Sequence, residues 1–69
     1  MNFYLYAGPD IIGKIVPRGD SWALGLTAGE KLPENKVKSI FGACDYLLKE
    51  KAAVSCRVFE FELVKKVEK

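Results

Sequence analysis

A single helical stripe set between segments of alternating residues is the feature that most restricts how this chain can fold. Apolar residues recur at spacings of three and four in mid-chain, at Val37, Ile40, Phe41, Cys44, Leu47 and Leu48. On both sides of this stripe, apolar residues alternate with a period of two, which is typical of strands. One amphipathic helix cannot bury its stripe alone, so it must pack on a sheet. The pattern therefore predicts an α+β fold.

Three strands are predicted ahead of the helix. They cover residues 2–7, 11–16 and 21–27. The first two strands are separated by Gly8, Pro9 and Asp10, and the second and third by residues 17–21. Both separating segments are rich in residues that favour turns. Pro17 is expected to end the second strand because proline has no N–H to donate. These segments predict a three-stranded meander.

The helix is predicted over residues 33–51, with Pro33 in its first turn, where a missing N–H costs nothing. The segment 54–64 alternates most regularly and is predicted as one long final strand. Its alternation puts Phe59, Phe61 and Leu63 on one face, and Val58, Glu60 and Glu62 on the other. The predicted order is β-β-β-α-β, a single layer of four-stranded sheet, mixed or antiparallel, packed on one helix. A helix that crosses the sheet would leave the last strand parallel to the first and third.

Length and composition predict one compact domain over residues 1–69, because so short a chain leaves no room for a second domain. The chain is 49% hydrophobic and 29% charged, which is typical of a globular protein. Its apolar runs are only a few residues long, whereas a membrane-spanning helix needs about 20. Its first residues also lack the basic start of a signal peptide. We expect a cytoplasmic protein that does not interact with membranes.

Catalytic and metal-binding patterns are weak in this sequence. There is no histidine, and Cys44 and Cys56 stand alone, so neither a zinc site nor a histidine-activated nucleophile is expected. The stretch 8–14 has the spacing of a phosphate-binding loop, but Ile15 follows where Ser or Thr is needed, and the run continues as a strand. Gly13 instead suggests a bulge or a close approach. We expect no enzyme activity, no cofactor and no metal, and an enzyme would need a carboxylate or cysteine site completed across a dimer.

Two surfaces are predicted to bind partners. Tyr4, Tyr6 and Val58 are expected on the side of the sheet away from the helix, which nothing in a two-layer fold would cover. On the helix, Gly42 and Tyr46 are expected to face away from the core. An exposed glycine in mid-helix costs up to about 1 kcal/mol relative to alanine, and close approach of a partner is one explanation.

The predicted function is that of a small non-enzymatic protein that binds a surface of another protein as inhibitor, adaptor or regulator, or that pairs with itself as a homodimer. The alternative is single-stranded nucleic-acid binding. In that case Tyr4 and Tyr6 would stack on bases, with phosphate contacts from basic residues. Those residues are Lys14, Arg18 and Arg57. Glu60 and Glu62, expected on the same face, would repel phosphate and weigh against this alternative.

Overall fold

The described residues of a computed structural model, 1–29 and 31–66, form five strands and one long helix. The elements in chain order are β1 (Asn2–Ala7), β2 (Asp10–Arg18), β3 (Ser21–Leu26), α1 (Glu34–Lys49), β4 (Ser55–Val58) and β5 (Phe61–Lys66). A short 3-10 turn, Thr27–Gly29, follows β3. The predicted α+β architecture is confirmed, but the sheet has five strands where four were expected.

The strands form one sheet in the order β3-β2-β1-β5-β4, and every neighbouring pair is antiparallel. After α1 the chain enters β4, which runs in the direction of β1, as the crossing helix requires. However, β5 lies between β4 and β1. Of the two predicted alternatives, a mixed or an antiparallel sheet, the antiparallel one is therefore found, and the predicted single strand 54–64 is wrong because a reversal inside it adds one more strand.

That reversal is a two-residue turn at Phe59 and Glu60, with Val58 paired to Phe61. Phe59 has a φ of 56°, close to the φ of 60° at Gly8 and 62° at Gly19, the first residues of the other two hairpin turns. A positive φ at the first turn position normally selects glycine, and a bulky residue there is strained. Phenylalanine gives no turn signal, so the sequence pattern missed this hairpin.

Lys36 of α1 holds the strained turn. Its Nζ lies 2.6 Å from Oε1 of Glu60. The same ammonium lies 5.5 Å from the ring centroid of Phe59 and 5.7 Å from that of Phe61. Cation–π contacts and a charged hydrogen bond to one lysine thus tie the turn to the helix.

The core lies between α1 and one face of the sheet. Its buried hydrophobic residues are Phe3, Leu5, Ile12, Ile15, Ile40, Cys44, Leu47, Val58, Phe61 and Leu63. The register of β1 on β2 shifts between Leu5 and Tyr6, which is a bulge. A Cβ on Gly13 at this bulge would lie 3.1 Å from the Leu26 side chain. The expected bulge or close approach at Gly13 is therefore confirmed on both counts.

A side chain distant in sequence binds the C-terminal end of α1. The Nζ of Lys65 on β5 donates hydrogen bonds to the carbonyls of Leu47, at 3.0 Å, and Glu50, at 3.3 Å. These bonds satisfy carbonyls at the end of α1, which stops at Lys49 and not at residue 51 as predicted. At the other end Pro33 is the N-cap, one residue before the helix begins.

Pro17 does not end β2, which continues to Arg18. Arg18 and Ser21 close the two-residue turn and form a hydrogen-bonded pair, so the next pair, Pro17 with Trp22, is non-hydrogen-bonded. The register of β1 on β2 reaches only to Ile15. Pro17 therefore sits where neither neighbouring strand needs its N–H, which is why proline is tolerated inside this strand.

Candidate binding surfaces

The strand register collects a mainly apolar group on the sheet face opposite α1, called here the open face. Residues directly opposite each other in neighbouring strands share a face. Tyr4 lies opposite Val64, and Val16 lies opposite Ala23. Tyr6 lies two residues beyond Tyr4 on β1 and therefore on the same face. These five side chains are all half-buried and form the centre of the open face.

Charged side chains surround this apolar centre. The cations on the open face are Lys14, Arg18, Arg57 and Lys66. Lys14 lies opposite Tyr4, with its Nζ 5.8 Å from the ring centroid. Glu62 is the one carboxylate on this face among the described strand residues, and its Oε2 lies 3.9 Å from Nη2 of Arg57. The open face therefore has an excess of positive charge.

Glu60 does not share a face with Glu62, in contrast to the sequence prediction. It lies in the β4–β5 turn and pairs with Lys36 on the helix side of the sheet. A hydrogen bond from Lys36 lowers the pKa of the Glu60 carboxyl, so it stays ionised at neutral pH. The expected pair of adjacent carboxylates is thus absent, because the turn removes one of them from the sheet.

Val58 was expected beside Tyr4 and Tyr6, and the structure places it on the other side of the sheet. It is 7% exposed and belongs to the core. The two-residue turn after Val58 makes it face Phe61, which also points toward α1. The hairpin thereby reverses the alternation expected for an unbroken strand: Cys56 and Val58 point inward, and Arg57 points outward.

The expected helix patch, Gly42 and Tyr46, does lie at the surface. Tyr46 is 53% exposed. A Cβ added to Gly42 would meet no atom within 4 Å outside the neighbouring helix backbone. No packing in the described part of the chain therefore explains glycine at this position, and the two residues lie one helical turn apart on the solvent side of α1.

Replacing Gly42 with alanine is expected to raise the free energy of unfolding by up to about 1 kcal/mol, because alanine restricts the unfolded chain and fits the helix without a clash. Urea denaturation followed by circular dichroism measures the change. Lys38→Ala, at an exposed position in the same helix, is the control and should change stability by less than about 0.5 kcal/mol. A loss of stability in Gly42→Ala would mean that the isolated fold itself requires glycine.

A small cleft of about 240 Å³ lies between α1 and the β2–β3 turn, and the sequence pattern did not indicate it. Its lining includes Met1, Trp22, Asp45 and Leu48. The Nε1 of Trp22 donates a hydrogen bond of 2.9 Å to Oδ1 of Asp45. Trp22 is also edge-on to Phe3, with ring centroids 5.2 Å apart. The tryptophan is therefore fixed by intramolecular contacts and acts as a packing residue at the sheet–helix junction.

The cysteines are both free thiols in the structure. Burial, with a smaller effect of Asp45 and of Cys56, raises the pKa of the buried Cys44 thiol to about 12. Burial also raises the pKa of Cys56. Both thiols are thus poor nucleophiles at neutral pH. Within residues 1–29 and 31–66, no group of three His, Cys, Asp or Glu side chains could hold a metal ion.

Comparison with known proteins adds no information about function, since no family model, curated protein or solved structure gives a significant match to the chain. None of the described helices is long and apolar enough to span a bilayer. The candidate surfaces therefore have to be interpreted from their own geometry and chemistry.

Proposed function

We propose that this is a non-enzymatic protein that binds the acidic surface of another protein through its open face, as an inhibitor, adaptor or regulator. The observation that carries the proposal is the apolar centre of the open face, which no element among the described residues covers. We place the protein in the cytoplasm, where its two free thiols would stay reduced.

The open face is arranged as protein interfaces usually are. Such interfaces have an apolar, aromatic-rich core within a polar rim, and tyrosine and arginine are enriched in them. Here Tyr4, Tyr6 and Val64 lie on the two strands nearest the middle of the sheet. Arg57 lies on an edge strand, and Arg18 lies at the end of β2. A partner could therefore cover the tyrosines while its own charged groups meet the cations around them.

Charge favours an acidic partner. Four cations and one carboxylate occupy the open face among the described strand residues. The carboxylate, Glu62, is already near Arg57, which leaves the other cations to meet an incoming negative charge. Like charges facing each other across an interface cost several kcal/mol, so a basic partner is disfavoured.

Selection from a displayed library of random 12-residue peptides on the immobilised protein tests the proposal. We expect enrichment of peptides that combine Asp or Glu with apolar residues. Binding of the selected peptides should weaken at least ten-fold in the Tyr4→Ala/Tyr6→Ala variant, because the two rings supply the centre of the contact. Tyr46→Ala, which removes an exposed tyrosine from the helix, is the matched control and should bind normally.

Circular dichroism and urea denaturation of the double variant would show that its fold is retained. Selected peptides with no excess of acidic residues would contradict the proposal. Equal binding of the peptides to the wild type and the Tyr4→Ala/Tyr6→Ala variant would contradict it as well, since the contact would then lie elsewhere.

Single-stranded nucleic acid is a second candidate partner, and the position of Glu60 favours it. Glu60 forms an ion pair with Lys36 on the helix side of the sheet. Only one of the two carboxylates expected to repel phosphate, Glu62, therefore lies on the open face. Tyr4 and Tyr6 project from the same face of β1, the middle strand of the sheet, as base-stacking aromatic residues do in single-strand binding proteins.

Fluorescence anisotropy with a labelled oligo(dT) of 15 nucleotides tests this second candidate. If the protein binds single-stranded nucleic acid, its affinity should fall steeply as the salt concentration rises, because binding releases the counterions held by the phosphates. Lys14→Glu should weaken binding more than Lys38→Glu, which makes the same charge change on the helix. An absence of binding at 50 mM salt would exclude this candidate and leave the protein partner.

A further inference from the structure

β3 is an edge strand with none of the usual features that prevent strands from pairing with other chains. It covers six residues, Ser21–Leu26, and its sequence SWALGL contains no charged residue and no proline. Natural edge strands are commonly protected by short length, charges, proline or bulges. The opposite edge, β4, fits that pattern, since it has four residues and carries Arg57. β3 pairs with β2 throughout and with no other described strand.

Half of the backbone polar groups of β3 point to this free edge. Because Arg18 and Ser21 form the hydrogen-bonded pair that closes the turn, the next hydrogen-bonded pairs are Val16 with Ala23 and Lys14 with Gly25. The N–H and C=O groups of the alternate residues, Trp22, Leu24 and Leu26, must therefore point away from β2. They form a row of donors and acceptors along the edge, which ends at Leu26, where the C=O also starts the 3-10 turn Thr27–Gly29.

We propose that β3 pairs with β3 of a second copy of this chain, antiparallel and about a two-fold axis at Leu24. In this register Leu24 faces Leu24 of the second copy, and Trp22 faces Leu26 of the second copy. The Leu24 pair exchanges two backbone hydrogen bonds, and the N–H of Leu26 donates to the C=O of Trp22 of the second copy. The C=O of Leu26 also starts the 3-10 turn Thr27–Gly29, so the N–H of Trp22 of the second copy shares this acceptor with the turn. The two sheets then join into one, and the contact is isologous as a two-fold axis requires.

The side chains of β3 fit the same register. Between the hydrogen-bonded pairs, Ala23 faces Gly25 of the second copy at a non-hydrogen-bonded position, where strands approach most closely and small residues avoid a clash. On the helix side, leucine meets leucine and tryptophan meets leucine, which are favourable cross-strand pairs. No like charges face each other, because no charge lies between Trp22 and Leu26. A second copy therefore matches this edge in hydrogen bonding, size and charge.

Amide hydrogen exchange of the wild-type protein, followed by NMR at several concentrations, tests the pairing without any substitution. The amides of Ala23 and Gly25 bond to β2 and should be protected at every concentration. Those of Trp22, Leu24 and Leu26 should exchange fast in dilute protein and become at least ten-fold slower as the concentration rises to about 1 mM, because a dimer covers them. Fast exchange of all three amides at the highest concentration would overturn the proposal.

Sedimentation equilibrium of two variants at one position adds a second test. Leu24→Pro removes an outward N–H and blocks an incoming strand, while the bonds to β2 remain. Leu24→Val shortens the side chain but keeps the N–H, and should dimerise like the wild type. We expect the proline variant to be a monomer at concentrations where the valine variant is a dimer. Equal self-association of the two would overturn the proposal, as would loss of the dimer in Tyr4→Ala/Tyr6→Ala, which would assign the contact to the open face.

Discussion

Leu63→Ala is expected to lower the free energy of unfolding by about 2–5 kcal/mol. Leu63 is fully buried on β5 and faces Leu5 of β1 on one side and Cys56 of β4 on the other. Truncation therefore leaves a cavity where three strands meet under the helix. Total stabilities are roughly 0.05–0.15 kcal/mol per residue, so the loss is about half of the stability expected for a chain of this size. Urea denaturation followed by circular dichroism measures the change.

Leu48→Ala is the matched control for this experiment. Leu48 lies on the helix and is 43% exposed, so the same truncation removes less buried surface and should cost less than about 1 kcal/mol. Similar losses in the two variants would contradict the described position of the core. Retained stability in Leu63→Ala would contradict the pairing of β5 between β1 and β4.

Cys44 is expected to resist alkylation in the folded protein. Burial, together with Asp45 and Cys56, raises its pKa from 9.0 to about 12. At pH 8 the thiolate fraction is then about a thousand-fold lower than in the unfolded chain, and the thiolate is the reactive form. Labelling with iodoacetamide in the presence and absence of urea, with peptide mass spectrometry, measures the ratio. Equal rates in the two conditions would contradict the buried position of this thiol.

The raised pKa of the Cys44 thiol also makes the stability of the fold depend on pH. The folded state holds the Cys44 proton up to about pH 12, whereas the unfolded state releases it near pH 9. The unfolded state thus binds fewer protons in this interval, so the free energy of unfolding falls as the pH rises from 9 to 12, by up to about 1.4 kcal/mol per pH unit. Other groups titrate there too, so the test is the comparison with Cys44→Ala, whose decline should be shallower. An equally steep decline of the free energy of unfolding in the wild type and in Cys44→Ala would contradict the raised pKa of Cys44.

Local patterns sufficed to predict the α+β class, the meander and most of the helix stripe, but Leu48, which was assigned to the stripe, is 43% exposed. Gly8 and Gly19 mark two hairpins because glycine readily adopts the positive φ that their first turn positions need. The third hairpin could not be found in this way. Phe59 adopts the same φ without being a turn residue, and its strained conformation is supported by Lys36, which lies 23 positions earlier in the chain.

Missing the turn at Phe59 also made part of the site prediction wrong. Alternation placed Tyr4 and Tyr6 on the open face correctly, since β1 is regular from Asn2 to Ala7. It placed Val58 and Glu60 there as well, because one missed turn reverses the faces of all residues before it. Val16 was not predicted on the open face, since the segment 11–16 is apolar on both faces. Its spacing of two from Lys14 would have placed both residues on the same face. At the end of α1, carbonyls are bound by Lys65, a tertiary contact that no local pattern indicates.

The most direct test of the proposed binding surface is an NMR titration of the 15N-labelled protein with the strongest acidic peptide obtained by selection. The account predicts that the largest chemical-shift changes cluster at Tyr4, Tyr6, Val16 and Val64, and that the amides of Gly42 and Tyr46 on the helix change little. Largest changes at Gly42 and Tyr46, with the open face unaffected, would contradict it and assign binding to the helix.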